Sequence, residues 1–507
     1  SCDAKVYGIS AWTEGYKLTK ELSKVIRSVH ADAIIIVGGF LPLTDKALID
    51  HTEVDIAVTT ADGHLVLPEI LDALNEGKDV SDIRGITWRG KDDQLIANMP
   101  RPLMSKEQYY DSPMPAYDQF ADEIRELVQN VKSTGYGKGE LNEPVRAFPL
   151  MVSRGCPFDC TFCGMLEGQK FYRKKWPGMF DEMQYLMENF GVEGFISNDT
   201  NFCLNDRDID AYCEEYDKRG CSFRIITNNR PDWGTHASLK KAIEHGNLVA
   251  TFGWETGSQE ILDVMRKKSK AQDVIAHTKV VAQSGMIIYG NFLFGMPGEC
   301  KRTIKETATF MLDLEKTFEW QRKDFSERKV PYRMSSGYNF SILIAMPSTE
   351  VFDAMVELGM IEDMNAYLSY LDPGEQASEE YTRFHSRFKG SDINLSDFSS
   401  KEAMIKYVKF QMALVKTKAQ FLYYPSSLSS YVQGARYGFT ALCELMQHYK
   451  LSVYNIVNRS ETQEFRDKKV EIKRRMLEGA RGYRSKSTRP KAARKRVLTQ
   501  SAVDITG

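Results

Sequence analysis

A chain of 507 residues is too long for one ordinary hydrophobic core, so two or three domains are expected. With 42% apolar and 27% charged residues it has a globular make-up, and a net charge of −2 gives no global pull toward nucleic acid. No apolar run reaches the roughly 18 residues of a membrane span; the best stretch, Ala33 to Leu43, is broken by Gly38, Gly39 and Pro42, so no transmembrane segment is expected.

Strand and helix alternate from the start. Lys5 to Ser10 reads as a short apolar strand, Tyr16 to His30 as an amphipathic helix and Ala33 to Val37 as a buried, β-branched strand. A helix over Asp45 to Asp50, a strand over Val54 to Thr59 and a helix over Pro68 to Leu74 follow. Repeated βα units make a doubly wound, Rossmann-like sheet over residues 1–90, open to ligands at the carboxyl ends of its strands. Those ends are Ser10 to Thr13, Gly38 to Phe40 and Ala61 to His64. The sequence begins on the threshold of a strand, so the N-terminus reads as truncated and the domain as partial. Residues 91–145, with Arg101-Pro-Leu103 and Ser112-Pro-Met-Pro-Ala-Tyr117, read as an extended connector.

A second βα series spans residues 146–365. Strands are expected at Phe148–Val152, Gly194–Ser197, Ser222–Thr227, Leu248–Gly253, Met286–Phe294 and Tyr338–Ala345, each followed by helix. Six strands cannot fill eight staves, so this is a partial (β/α)6 barrel with its active site at the carboxyl ends of the strands. Residues 366–480 turn helical, with apolar residues at helical spacing over Lys401–Lys416, Leu428–His448 and Glu461–Met476. The tail 481–507 is basic, with eight Lys/Arg and no acid between Arg481 and Arg496, and reads as a poorly ordered end.

The sharpest chemical signal is Cys156, Cys160 and Cys163, a C-x3-C-x2-C run with Phe162 before its last member. Three thiolates this close can hold three irons of a cubane cluster and leave the fourth open for chemistry. A zinc site would need a fourth ligand, and no Cys or His follows closely downstream. The other six of the nine cysteines show no tight ligand spacing, which fits a reducing, cytoplasmic setting better than a disulfide framework.

This run resembles the signature of the radical S-adenosylmethionine (SAM) superfamily. The resemblance implies a [4Fe–4S] cluster on Cys156, Cys160 and Cys163, whose open iron chelates SAM and whose electron yields a 5′-deoxyadenosyl radical. Several segments resemble the subgroup with a cobalamin-binding domain, which includes anaerobic magnesium-protoporphyrin monomethyl ester cyclases and radical SAM methyltransferases. These are Val6-Tyr-Gly-Ile-Ser10, Ile36-Val-Gly-Gly39, Leu67-Pro-Glu-Ile-Leu71, Gly253-Trp-Glu-Thr-Gly-Ser-Gln259 and Gly290 to Glu299. Carried over residue by residue, the resemblance implies that Asp199 accepts from the SAM ammonium and Glu255 from its ribose hydroxyls. Ser258 would cap the next helix, Phe162 and the loop at Gly295 would wall the adenine, and Arg230 would meet the SAM carboxylate. Ser10, Gly38 and Gly39 would approach cobalamin. The triplet Asp62-Gly63-His64 looks like the start of a cobalt-ligand motif, but it follows the wrong strand and position 67 is Leu, so His64 is read as a surface histidine. The expected activity is radical methyl transfer or cyclisation at an unactivated carbon. The implied partners are a small-molecule, lipid-like or tetrapyrrole substrate and an electron donor such as flavodoxin or ferredoxin. The alternatives are radical SAM chemistry without cobalamin and a non-catalytic iron–sulfur or zinc protein.

Overall fold

The computed structural model describes residues 4–90, 93–130, 146–164, 171–203, 205–327, 336–371, 394–423, 428–457 and 462–482. Three apolar strands open the fold. β1 (Val6–Ala11), β2 (Ile34–Gly39) and β3 (Ile56–Val58) run parallel, with Val6 opposite Ile34 and Ile36 opposite Ile56. Parallel neighbours need crossovers, here α1 (Tyr16–Val29) and α2 (Asp45–Asp50). α3 (Gly63–Asn75) begins five residues before Pro68, so the helix tolerates a proline that the sequence reading placed at its start.

The sheet does not stop at residue 90. β4 (Ile86–Arg89) and β5 (Leu95–Ala97) add to β3 as an antiparallel hairpin, giving the order β1-β2-β3-β4-β5. The connector is also more structured than its prolines suggest. Ser105 caps α4 (Lys106–Tyr110) in a capping box with Gln108, and α5 (Ala121–Asn130) buries Ile124 and Val128.

Next come β6 (Ala147–Leu150) and a small antiparallel hairpin of β7 (Ser153–Gly155) with β8 (Phe171–Arg173). The βα series continues as α6 (Trp176–Phe190), β9 (Gly194–Ser197), α7 (Asp206–Lys218), β10 (Arg224–Asn229), α8 (His236–Glu244) and β11 (Asn247–Glu255). It ends with α9 (Gln259–Val264), α10 (Ala271–Ser284), β12 (Ile287–Phe294), α11 (Lys301–Glu327), β13 (Gly337–Ile342) and α12 (Glu350–Glu357). The sheet order β13-β12-β11-β10-β9-β6, parallel throughout, is the open six-stranded barrel expected from the sequence. α6 and α10 stop at Gly191 and Gly285, whose φ of 67° and 98° a side chain would resist. Helices α13 (Met364–Leu371), α14 (Lys401–Leu422), α15 (Leu428–Val457) and α16 (Gln463–Gly482) complete the chain. The tail from 483 lies outside the described residues.

One apolar cluster fills the barrel and its helices, including Phe180, Phe195, Tyr212 and Phe223. A second joins Val37, Leu48 and Ile49 of the first sheet unit to Phe352 and Met355 of α12 and to Ile472 and Met476 of α16. The two sheets therefore share a core and are not merely tethered. Among the described residues, no helix is long and apolar enough to cross a membrane.

Candidate functional site

The cysteine loop springs from β7, and its base is fixed by Asp199 at the carboxyl end of β9. Asp199 is 2% exposed and accepts from the Val152 and Ser153 amides and from the Ser153 and Ser197 hydroxyls. Burial pushes its carboxyl above the ordinary value, while these donors hold it back. Its acceptor positions are filled from within the protein, so Asp199 serves the loop and does not offer itself to an ammonium. Thr200 Oγ1 donates to Gly155 O at 2.8 Å, pinning the turn that leads into Cys156.

Further along, the loop is bound to the turn after α9. Thr161 N donates to Met265 O at 3.1 Å and Thr161 Oγ1 to Val264 O at 3.0 Å. Asp159, between the first two cysteines, pairs with Lys268 at 2.7 Å and Arg266 at 3.6 Å. Arg266 and Lys268 both hold positive φ, so successive side chains of this turn point to different sides. Lys267 points inward. Its Nζ lies 2.7 Å from Glu255 Oε1 and 6.0 Å over the Phe162 ring.

Glu255 ends β11 at a φ of 64°, a conformation costing about 1–3 kcal/mol for a residue with a side chain. Gly253 makes room: a Cβ there would press on Glu255 Oε1 and sit 2.9 Å from Lys267 Nζ. Burial opposes the charge on Lys267, but Glu255 and Cys160 outweigh it and hold the ammonium above its usual value. The same neighbourhood acts on Cys160, whose thiol burial pushes up while Lys267 and Arg230 pull it down. Lys267 carries no motif in a single sequence. A lysine in the run Arg266-Lys-Lys268 reads as solvated charge, and only the fold shows it buried.

Arg230 lies beside this pair with its guanidinium 3.7 Å over the Phe158 ring. Its Nη2 donates to Lys267 O at 2.9 Å and its Nε to Asp232 at 3.2 Å. Its Nε–Nη2 edge is thus turned to the scaffold, and Nη1 makes no hydrogen bond among the described residues. Ser258 departs from the expected cap. It stands at the start of α9, yet its hydroxyl donates to Glu306 and makes no capping bond. Gly295, at φ 101°, sits under Leu343 and Met404 and donates its amide to Glu299. Glu299 is fully buried, and burial raises its carboxyl to about 8 against the Gly295 and Met296 amides.

The donor set fits an iron–sulfur cluster with SAM. The three thiols stand outside any disulfide and are half-buried on one loop. Among the described residues, no three His, Cys, Asp or Glu side chains converge as one metal ion requires. Two asparagines that sequence reasoning passed over leave buried acceptors open at strand ends: Asn201 Oδ1, with its Nδ2 3.6 Å from Cys156 Sγ, and Asn229 Oδ1. Such atoms suit an ammonium or hydroxyl donor of a ligand.

A second site lies in the first sheet. Ser10, Gly38, Gly39, Phe40, Ala61, His64 and neighbours line a cleft of about 500 Å³. Gly39, at φ 92°, is irreplaceable, because a Cβ would meet Ala11 O at 2.5 Å. Phe40 stacks on Trp12, ring centroids 4.5 Å apart. His64 is exposed as read, but it also forms part of the cleft wall. Burial and the Arg154 charge hold it below its ordinary pKa.

Residues 150–311 match the Radical SAM superfamily. The chain is 24% identical over 319 residues to an uncharacterized methyltransferase of Pyrococcus horikoshii, 27% over 314 to the cytidylyl-2-hydroxyethylphosphonate methyltransferase of Streptomyces wedmorensis, and 22% over 316 to the anaerobic magnesium-protoporphyrin IX monomethyl ester cyclase of Rubrivivax gelatinosus. These matches cover 62%, 55% and 61% of this chain but 65%, 55% and 54% of the relatives, so the chain spans less than two thirds of their length. The radical SAM methyltransferase TsrM of Kitasatospora setae, solved with cobalamin and a [4Fe–4S] cluster, superposes with TM-score 0.51 at 16% identity over 71% of this chain and 66% of that one. The cobalamin-dependent enzyme OxsB with aqua-cobalamin gives 0.57 at 13% identity over 94% and 76%. At these identities the likeness is one of fold.

Proposed function

We propose that this chain, which carries a radical SAM domain over residues 150–311, binds a [4Fe–4S] cluster through Cys156, Cys160 and Cys163 and cleaves SAM to functionalise an unactivated carbon by methyl transfer or cyclisation. One observation carries the reading: three cysteines outside any disulfide on one loop, which Thr161 and Asp159 bind to the turn that sets Lys267 on Glu255 at the carboxyl end of a barrel strand. When bound, the cluster would supply the electron that parts SAM into methionine and a 5′-deoxyadenosyl radical able to take a hydrogen atom from the substrate, and cobalamin would supply a methyl group for the carbon so activated.

The chain's own part is electrostatic and steric. Lys267 and Arg230 set positive charge beside Cys160 and offset part of the burial that holds its thiol above the ordinary value. Glu255 is held for a pair of hydroxyls by its strained backbone and its lysine, so its carboxylate needs little reorganisation when ribose arrives. Phe158 and Phe162, on the cysteine loop itself, respectively cover the Arg230 guanidinium and lie near the Lys267 ammonium. In the first sheet, the glycine-lined cleft admits only part of a corrinoid, and this chain is expected to hold one weakly. The substrate is a small molecule of lipid-like or tetrapyrrole type, and the electron comes from a flavodoxin or ferredoxin.

Anaerobically reconstituted protein, incubated with SAM and dithionite, is expected to release 5′-deoxyadenosine. Reconstituted protein that releases none overturns the reading. Release that hydroxocobalamin leaves unchanged, with no corrinoid retained after desalting, favours the cobalamin-free alternative.

A further inference from the structure

Helix α15 presents two unlike sides. Gly434, Ala441 and His448, seven residues apart, are buried. α14 covers them: Gly434 abuts Phe421, His448 Nδ1 meets Ala403 O at 2.8 Å, and Lys406 takes Glu444, the helix's one acid, at 3.6 Å. The opposite side carries Val432, Ala435, Phe439, Leu442 and Met446, with Tyr449 at its edge, where Lys301 Nζ sits 5.3 Å over the ring. All six are exposed, Phe439 at 70% and Met446 at 64%. An apolar row this long on the outside of a folded protein marks a surface made for contact.

Its spacing names the partner. The steps are three, four, three, four and three residues, the alternation of a coiled-coil seam and not the wider stripe of a helix facing a globular core. The row is also a numerical palindrome about the point between Thr440 and Ala441. Laid antiparallel on an identical helix, Phe439 meets the partner's Leu442, Ala435 meets the partner's Met446, and Val432 meets the partner's Tyr449. The small residues fall opposite long ones at both ends, and a two-fold axis closes the contact on itself. Parallel pairing would set Ala435 against itself and leave a gap. Roughly 100 Å² from each of these side chains, with exposed Phe421 and Leu422 at one end, approaches the ~800 Å² per copy of a standard interface.

We propose that the exposed face of α15 is the interface of a two-fold homodimer, in which α15 packs antiparallel on α15 of a second copy. The flanking Arg436 and Lys450 do not oppose each other in this register, since Arg436 faces the partner's Leu445 and Lys450 the partner's Tyr431.

The test is light scattering on the full chain at tens of micromolar, with circular dichroism to check that helix content is kept. The expected result is a dimer that Ala435→Glu converts to monomer, halving the mass, and that Ala435→Glu with Met446→Lys restores, because the new charges face each other only when the helices run antiparallel. A wild-type monomer overturns the proposal. If that monomer sediments with anionic vesicles, the face is a membrane contact instead. A dimer untouched by Ala435→Glu moves the interface elsewhere and also overturns it, and a dimer broken but not restored overturns the antiparallel register. Phe439→Ser, which adds no charge, should weaken the dimer at least tenfold, so the result does not hang on one substitution.

Discussion

Arg154, two residues before Cys156, pairs with Asp62 at 2.8 Å, and the same guanidinium reaches Ala61 O at 2.5 Å. Asp62 is 1% exposed and also accepts from the Met104 amide at 2.8 Å. The loop at the edge of the first-sheet cleft and the loop carrying the cysteines are therefore held by one buried ion pair.

Removing one partner of such a pair strands a buried charge. Arg154→Met should destabilise the protein by about 3 kcal/mol, seen as a lower urea midpoint, and should reduce iron retained after reconstitution. An unchanged midpoint with full iron would show the pair to be incidental.

Burial holds the Cys160 thiol above its ordinary value, with Lys267, Arg230 and Glu255 as charged neighbours. Cys160→Ala should abolish the oxygen-labile visible absorbance of the reconstituted protein and most of its iron. Near-normal iron in the triple variant of Cys156, Cys160 and Cys163 would refute the assignment.

Glu255→Gln keeps the shape of the site but removes the charge that Lys267 and ribose would share. SAM binding should weaken by about 1–3 kcal/mol, tenfold to more than a hundredfold in Kd, by equilibrium dialysis. Gly253→Ala should act in the same direction, because the new methyl pushes the carboxylate off its lysine. Unchanged affinity in both variants would misplace the ribose.

Glu299 binds a proton in the folded state up to pH about 8 but releases it near 4.5 when unfolded. The folded state then holds more protons in this window, so stability declines as pH rises from about 4.5 to about 8. Glu299→Gln should flatten that decline between pH 5.5 and 8 in thermal unfolding. Parallel curves for the two proteins would mean that the carboxyl stays ionised.

His64 lines the cleft, but a histidine that ligates a metal usually leans on a carboxylate, and Asp62 is spent on Arg154 and Met104. His64→Ala should leave the visible spectrum of any bound corrinoid unchanged. A shifted cobalt spectrum would make His64 a ligand.

Much of this was readable beforehand, for a physical reason. The βα order, the six-stranded open barrel and the three cysteines rest on local signals: apolar period, turn residues and ligand spacing. The β4–β5 hairpin escaped because Ile86–Arg89 and Leu95–Ala97 are too short to show a period. Lys267, Asn201 and Asn229 escaped because their meaning depends on burial that only tertiary contact creates. Asp199, Arg230 and Ser258 stand out by motif position, and in the structure each makes hydrogen bonds to the scaffold. Motif position identifies the neighbourhood, and donor and acceptor arithmetic then decides the role.

The turn from Val264 to Lys268 offers two backbone oxygens to Thr161, two cations to Asp159, one carbonyl to Arg230 and one ammonium to Glu255. Its carbonyl contacts survive a change of side chain, its three cationic contacts do not, and neither kind survives a change of length. A single residue inserted between Gln259 and Lys268 would move the ligand loop and the carboxylate out of step together, so spacing constrains this short stretch as firmly as its charges do.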